Sequence, residues 1–307
     1  MRNVFSEELF NQAKKNKKID IIVADISPAG SMEIFRKKYP KRFINVGVAE
    51  QVMIGLSAGL ALRGRRPFVY TIATFALFRP FEMIRDDICY QNLPVTIVGM
   101  GAGTVYANLG GTHLAQEDIS IAKSLPNMSI IAPIDPSELK EAVKYCANKA
   151  IGPVYLRIGK SGEKNFSTSS SEKWEFGKIR NLMRGKDICF LTYGPIVKLV
   201  DKVVKKLQLK NINPSVYSCH TLKPLDIKTI KKIFKKYKMI IIVEDHSIIN
   251  GLTQDVKSLA FDFKYKGKIQ YYTLKDKFSH SYEKQDDILD THNIKESIII
   301  KNIIKCF

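Results

Sequence analysis

The sequence predicts an α/β protein of two doubly wound domains, each built on a mainly parallel sheet, and three observations carry that expectation. Short apolar runs alternate with helix-like segments along the whole chain, the pattern of parallel strands joined by crossover helices. Polar and aromatic residues gather directly after those runs, where open α/β sheets place ligands. A serine- and lysine-rich stretch, KSGEKNFSTSSSEKWEFGK (160–178), divides the pattern and reads as a linker, with Trp174 docking on a neighbour. The expected boundaries are 1–160 for the first domain, 161–180 for the linker and 181–307 for a smaller second domain. At 307 residues the chain is long enough for two cores.

A first helix is expected from Ser6, whose hydroxyl can cap, with Glu7 and Glu8 in the favoured first turn. IDIIVADIS (19–27) reads as a buried strand delivering Asp25 and Ser27 at its carboxyl end. A weaker helix over 32–38 is stopped by Pro40, and FINVGV (43–48) is the next strand. Glu50 then opens a helix that carries no charged residue from 52 to 62 and ends at Gly64. Apolar on every face, that helix is expected to be buried, and Gly55, Ala58 and Gly59 keep one side of it small. A carboxylate at its mouth either complements the positive helix terminus or faces a partner in a partly dry site. The residues alone leave both readings open.

PFVYTIA (67–73) is another buried strand, leading into TFALF (74–78) and a helix through Glu82, Arg85 and Asp86. LPVTIVGMGAG (93–103) repeats the theme and opens a long glycine-rich loop over 102–118 with Tyr106, Asn108 and His113. Such loops in compact domains usually carry function. Asp135-Pro136-Ser137-Glu138 supplies an N-cap, a proline at N1 and a capping-box glutamate. PVYLRIG (153–159) closes the first domain with Arg157. In the second domain DICFLTYG (187–194), PSVYS (214–218), MIIIVED (239–245) and KIQYYTL (268–274) read as strands. Helices are expected through Val200 and Leu207, from about Asp226, and after Gly251.

The formal net charge of +19 raises nucleic-acid binding through phosphate neutralisation. The lysines, however, fall on polar faces of amphipathic helices, as in KVVKKLQLK (202–210) and KKIFKKYK (231–238), without the interleaved aromatics of a stacking platform. Heavy use of Ile, Asn and Lys points to compositional bias, and no nucleic-acid partner is expected. The charge still favours anionic sugar phosphates or an acidic partner subunit. No apolar run reaches the ~18 residues of a membrane span, no signal-peptide pattern opens the chain, and the five cysteines form no C-x-x-C pair. A cytoplasmic protein with reduced thiols is expected. Phosphate-loop chemistry is excluded because Val154 stands where a glycine is required. No H-E-x-x-H, metal-ligand histidine spacing or G-x-S-x-G elbow is present.

What remains carries a resemblance. Gly47-Val48-Ala49-Glu50-Gln51, the stretch from Thr74-Phe75 to Phe78, Gly110-Gly111-Thr112-His113 and Leu125-Pro126-Asn127 up to Pro133 resemble the pyrimidine-binding domain of transketolases. Lys223-Pro224-Leu225-Asp226 and Glu244-Asp245-His246-Ser247 with Gly251-Leu252 resemble their C-terminal domain. The chain is also similar to parts of 1-deoxyxylulose-5-phosphate synthase and, more distantly, of 2-oxo acid dehydrogenase E1 β subunits. The resemblance implies thiamine diphosphate, with Mg2+ or Ca2+ held mainly by a partner. The Gly-Asp-Gly that marks the diphosphate and metal site is absent from the sequence. The chain therefore looks like the C-terminal section of a split transketolase, paired with a separate N-terminal subunit. Homodimerisation giving a heterotetramer, and sugar-phosphate substrates, are implied with it.

By the same resemblance Glu50 is catalytic and cofactor-binding, sharing a proton with the pyrimidine ring; the chemistry asks for a carboxyl that exchanges a proton in a dry pocket. Phe78, with Phe75 and Phe81, would wall the flat ring, and Asp25 would lie near the cofactor. His113 would contact the donor sugar's hydroxyls or the developing oxyanion. Arg157 would bind the acceptor phosphate. Asp245 and His246 would be structural or at the subunit interface. Leu109-Gly110-Gly111 stands where most relatives carry Asp-Gly before Thr-His, and no histidine opens the loop near Gly101. Both departures fall on the substrate side and motivate a specialised sugar or keto acid. A decarboxylating synthase, an oxo-acid dehydrogenase half and a non-catalytic scaffold stay as alternatives.

Overall fold

The computed structural model describes residues 1–26, 30–160, 162–167, 170–186 and 188–306. Ser27, expected at the end of the first strand, and Asp187, expected to open a later one, lie outside them. Two mostly parallel sheets form the frame. The first is built from β1 (Ile19–Val23), β2 (Phe43–Asn45), β3 (Arg66–Ile72), β4 (Thr96–Met100), β5 (Ser129–Ile131) and β6 (Val154–Ile158). The second holds β7 (Arg180–Met183), β8 (Ile188–Thr192), β9 (Ser215–Ser218), β11 (Met239–Ser247) and β12 (Lys268–Leu274). Between them in sequence, β10 (Thr221–Lys223) leaves its own domain and pairs antiparallel with β5, so the first sheet runs β10-β5-β6-β4-β3-β1-β2 and the second β12-β11-β8-β9-β7. β7 is likewise antiparallel, against β9. Sequence reasoning misses β7 and β10: at three or four residues neither is long enough to show a period.

The helices are α1 (Arg2–Lys15), α2 (Ser31–Lys38), α3 (Glu50–Leu62), α4 (Ala73–Leu77), α5 (Phe81–Met83), α6 (Asp118–Ser124) and α7 (Pro136–Asn148) in the first domain. α8 (Val197–Gln208), α9 (Ile227–Lys236), α10 (Leu252–Asp262), α11 (Gln285–Thr291) and α12 (Glu296–Ile304) belong to the second. Strand residues alternate between two cores, as the period of two requires. Ile21, Val23, Phe68 and Tyr70 pack with Phe5, Leu9, Phe35, Leu139 and Val143. Ile22, Val69 and Ile97 pack with Met53 and Ile54, in a core that continues through Leu191, Ile240 and Ile242 of the second sheet. This second core is thus shared between the two domains, while each also keeps a core of its own.

Two expectations are corrected. The first helix begins at Arg2, because Phe5, Leu9 and Ala13 recur on one buried stripe; Ser6 lies inside it and donates to the Asn3 carbonyl at 2.9 Å. α3 is not buried on every side. Met53, Ile54, Ser57, Ala58 and Ala61 face the core, while Val52 (58 % exposed) and Leu62 (62 %) flank an open strip over Gly55 and Gly59. The Asp135 cap forms as expected, accepting from the Glu138 N–H at 2.9 Å with Pro136 behind it. Glu138 itself departs from the capping box. Its carboxylate accepts from the Ile134 N–H at 3.1 Å and from Arg180 and Ser218 of the second domain at 2.9 and 3.0 Å. Trp174 stacks on His220, with centroids 4.9 Å apart.

Candidate functional site

Parallel strands point their carboxyl ends to one edge of the sheet, and that edge carries the site. Asp25 follows β1, Glu50 follows β2, Phe75 and Phe78 follow β3, Tyr106 and His113 follow β4, and Lys160 follows β6. Asn45, at the end of β2, holds the approach to Glu50. Its Oδ1 accepts from the Asp25 and Gly47 N–H groups, both at 3.0 Å, so the loops after β1 and β2 are tied together. Asp25 is exposed, with φ +48°.

Glu50 is 3 % exposed at the first residue of α3. Its two oxygens both accept from Arg79 Nη1 at 3.0 Å, and the Arg79 guanidinium lies 4.3 Å from the centroid of Phe75. Phe75 meets His113 edge to face at 5.3 Å, His113 meets Tyr106 at 6.4 Å, and the Lys160 ammonium sits 5.0 Å from the Tyr106 ring. A continuous chain therefore runs from the buried carboxylate through aromatic faces to a lysine. Phe78 and Phe81 are half-buried and pack on the same core as α3. Gly101 at φ +68° lets Tyr106 fold back to this position, since a Cβ there would lie 2.0 Å from its ring. Partial burial pushes the His113 imidazole below its ordinary value, favouring the neutral form. Its Nδ1 lies 3.0 Å from the Thr112 hydroxyl.

Sequence reasoning misses Arg79 and Lys160. Arg79 carries a legible signal, one residue past Phe78 in the stretch after β3; Lys160 reads from the sequence as the first residue of a linker. Arg157 is not brought into the cluster. It is 2 % exposed, with Nε donating to Asp118 Oδ2 at 2.8 Å and Nη2 to the Asp245 carbonyl at 2.8 Å. A phosphate could reach it only by displacing buried partners. Asp245 instead receives the Thr104 hydroxyl at 2.8 Å, and His246 turns Nε2 toward the Ser120 N–H at 3.4 Å. Glu244 accepts from the Leu252 and Thr253 N–H groups at 2.9 Å, placing a carboxylate on the N-terminus of α10. This acidic motif fastens the second domain to the first. A cleft of about 870 Å3 between the linker and α8 touches the cluster only through Lys160 and contains none of Glu50, Phe75 or Phe78.

A buried carboxylate beside half-exposed aromatic rings fits a flat, protonatable heteroaromatic ring, and the buried Thr74 hydroxyl next to Phe75 has no protein partner among the described residues. Among the same residues no group of three His, Cys, Asp or Glu is placed to hold a metal ion. The fold is that of an open α/β protein with a buried carboxylate and aromatic rings gathered at the carboxyl edge of its first sheet. Likeness to known proteins makes this specific. Residues 1–162 match the transketolase pyrimidine-binding domain and residues 177–296 the transketolase C-terminal domain. A Methanocaldococcus jannaschii protein named for the C-terminal section of transketolase is 33 % identical over 99 % of this chain and 95 % of its own length. One subunit of an apulose-4-phosphate transketolase from Phocaeicola vulgatus is 31 % identical over 82 % of this chain and 80 % of its own. A solved structure described as a split-gene transketolase, an inactive β4 tetramer, superposes with a TM-score of 0.86 at 30 % identity, covering 99 % of this chain and 96 % of that one. The chain belongs to the transketolase family and corresponds to its C-terminal section.

Proposed function

We propose that this chain is the C-terminal subunit of a two-subunit transketolase that moves a two-carbon ketol unit from a ketose phosphate to an aldose. The observation that carries the reading is the buried Glu50 carboxylate linked through Arg79 and Phe75 to His113 at one sheet edge. Glu50, Phe75, Phe78 and Phe81 would hold the pyrimidine ring of thiamine diphosphate, with Asp25 at the rim. That cofactor, when bound, supplies an electron sink for carbon–carbon bond cleavage. Glu50 would hold a proton at the ring nitrogen, kept dry by Met53 and Ile54 behind it. Neutral His113 can donate to a substrate hydroxyl or a developing oxyanion, and Lys160 offers the cation for a substrate phosphate that buried Arg157 does not.

The diphosphate and its Mg2+ or Ca2+ are assigned to a separate N-terminal subunit. One relative is named as a transketolase subunit and one structural neighbour as split-gene, which supports this together with the absence of Gly-Asp-Gly here. The open strip of α3 over Gly55 and Gly59, on the helix face away from the buried Glu50, offers a surface for a second chain; a β4 tetramer in the neighbour supports self-association into a heterotetramer. The test is reconstitution with a chain carrying the Gly-Asp-Gly domain, followed by light scattering and a coupled transfer assay. Expected are a heterotetramer and a thiamine-dependent, aldose-dependent reaction absent from either subunit alone. Pyruvate consumption without an aldose acceptor would overturn ketol transfer in favour of a decarboxylating enzyme.

A further inference from the structure

Arg79 makes both contacts that a flat cationic ring would make in this site. One guanidinium nitrogen donates to both Glu50 oxygens at 3.0 Å, and the guanidinium rests over Phe75 at 4.3 Å. A buried carboxylate left unpaired is costly, and Glu50 at 3 % exposure has this one cationic partner among the described residues. Arg79 is held from one side only: its side chain is 44 % exposed, so rotation of the side chain alone can carry it into solvent. Pro80 follows directly and restrains the backbone there.

We propose that Arg79 is a latch: it neutralises Glu50 in the cofactor-free subunit, occupies the ring's place on Phe75, and must swing out before the pyrimidine can bind. The inference rests on the reading of Glu50 as the ring-facing carboxylate. Arg79 is thus a positioning residue acting through Glu50. Its presence multiplies the cofactor's apparent dissociation constant by the inverse of the fraction of subunits with the latch open. It also keeps the half-site folded and dry until a partner supplies the rest.

The experiment is a calorimetric titration of the reconstituted two-subunit complex with thiamine diphosphate, in the absence of sugar substrate, for the native chain, Arg79→Met, Glu50→Gln and the double variant. Methionine has a stem of similar length but lacks the charged planar group that fixes the side chain on Glu50 and Phe75. The expected result is about tenfold tighter binding for Arg79→Met, an effect that vanishes in the Glu50→Gln background. A merely structural contact could not raise affinity on removal. Unchanged or weaker binding by Arg79→Met, with Glu50→Gln still impaired, overturns the latch and leaves the site reading standing. Unimpaired binding by Glu50→Gln overturns the site reading and the latch with it. Should Arg79→Met fail to assemble, Arg79→Lys, which lacks the planar fork, is expected to tighten binding by a smaller factor, and weakening would overturn the proposal.

Discussion

Arg157 and Asp118 form an ion pair at 2.8 Å with both side chains withdrawn from solvent. Asp118 also receives the Tyr155 hydroxyl at 2.7 Å, and the Arg157 guanidinium reaches the Asp245 carbonyl, so the pair joins β6, α6 and the second domain. Arg157→Ala would leave a buried carboxylate without its cation, a loss of about 3–5 kcal/mol. Urea unfolding should show that loss, and Asp118→Asn in the same chain should recover part of it. Full stability with a raised KM for phosphorylated acceptors would instead return Arg157 to the substrate site.

Glu138 sets a pH dependence. Burial pushes its carboxyl up to about 7 from an ordinary value near 4.5, against the opposing pull of the Ile134 N–H and Arg180. Between these values the folded chain holds a proton that the unfolded chain has released, so this group's contribution to stability falls as pH rises through that window. Glu138→Gln removes the titration. Thermal unfolding from pH 4.5 to 7 should therefore decline less steeply for E138Q than for the native chain, by up to about 1.4 kcal/mol per pH unit. Parallel profiles would contradict the assignment.

Glu50→Gln should retain fold and subunit pairing while turnover drops by about 10²–10⁴-fold, the usual worth of a positioned proton-transfer group. Circular dichroism and light scattering check the first half, single-turnover kinetics the second.

Lys160 and His113 separate binding from chemistry. Lys160→Met should raise KM for phosphorylated sugars about ten- to a hundredfold, the loss of a charged hydrogen bond, with little change for unphosphorylated analogues. His113→Ala should lower kcat instead, with His113→Asn restoring part of it through its amide donor. Because burial lowers the His113 imidazole from its ordinary value, its contribution should fall on acidification rather than on a rise in pH.

The fold is legible in the sequence wherever burial writes a long signal. β1, β3, β4, β6 and β11 are predominantly apolar segments buried along nearly their whole length, and the Asp135-Pro136 cap marks α7 to the residue. β10 is hidden because its partner lies in the other domain, and a three-residue strand has no period of its own. The site is legible as a set of residues that follow strand ends, since parallel topology brings Asp25, Glu50 and Phe75 to one edge, while His113 reaches it through the loop after β4. Its charge pairing is not. Which cation reaches Glu50 depends on the turn between α4 and α5, and Arg157 reads from sequence like any strand-end arginine until Asp118 is found beside it. α3 misleads for a related reason: an all-apolar helix signals contact, without saying whether its own chain or another supplies the cover.

The excursion of β10 makes the domain boundary a poor place to cut. Thr221 and Lys223 pair with Ile131 and Ile130, capping the β5 edge of the first sheet with chain from beyond the linker. A fragment ending at residue 160 would expose that edge, a row of unpaired backbone groups on Ser129–Ile131 able to recruit strands from other molecules. Such a fragment should precipitate on expression, and restoring residues 170–230 in trans should keep it in solution. The first sheet is thus sealed by chain from beyond the linker, and the unit expected to stay soluble by itself is the whole chain.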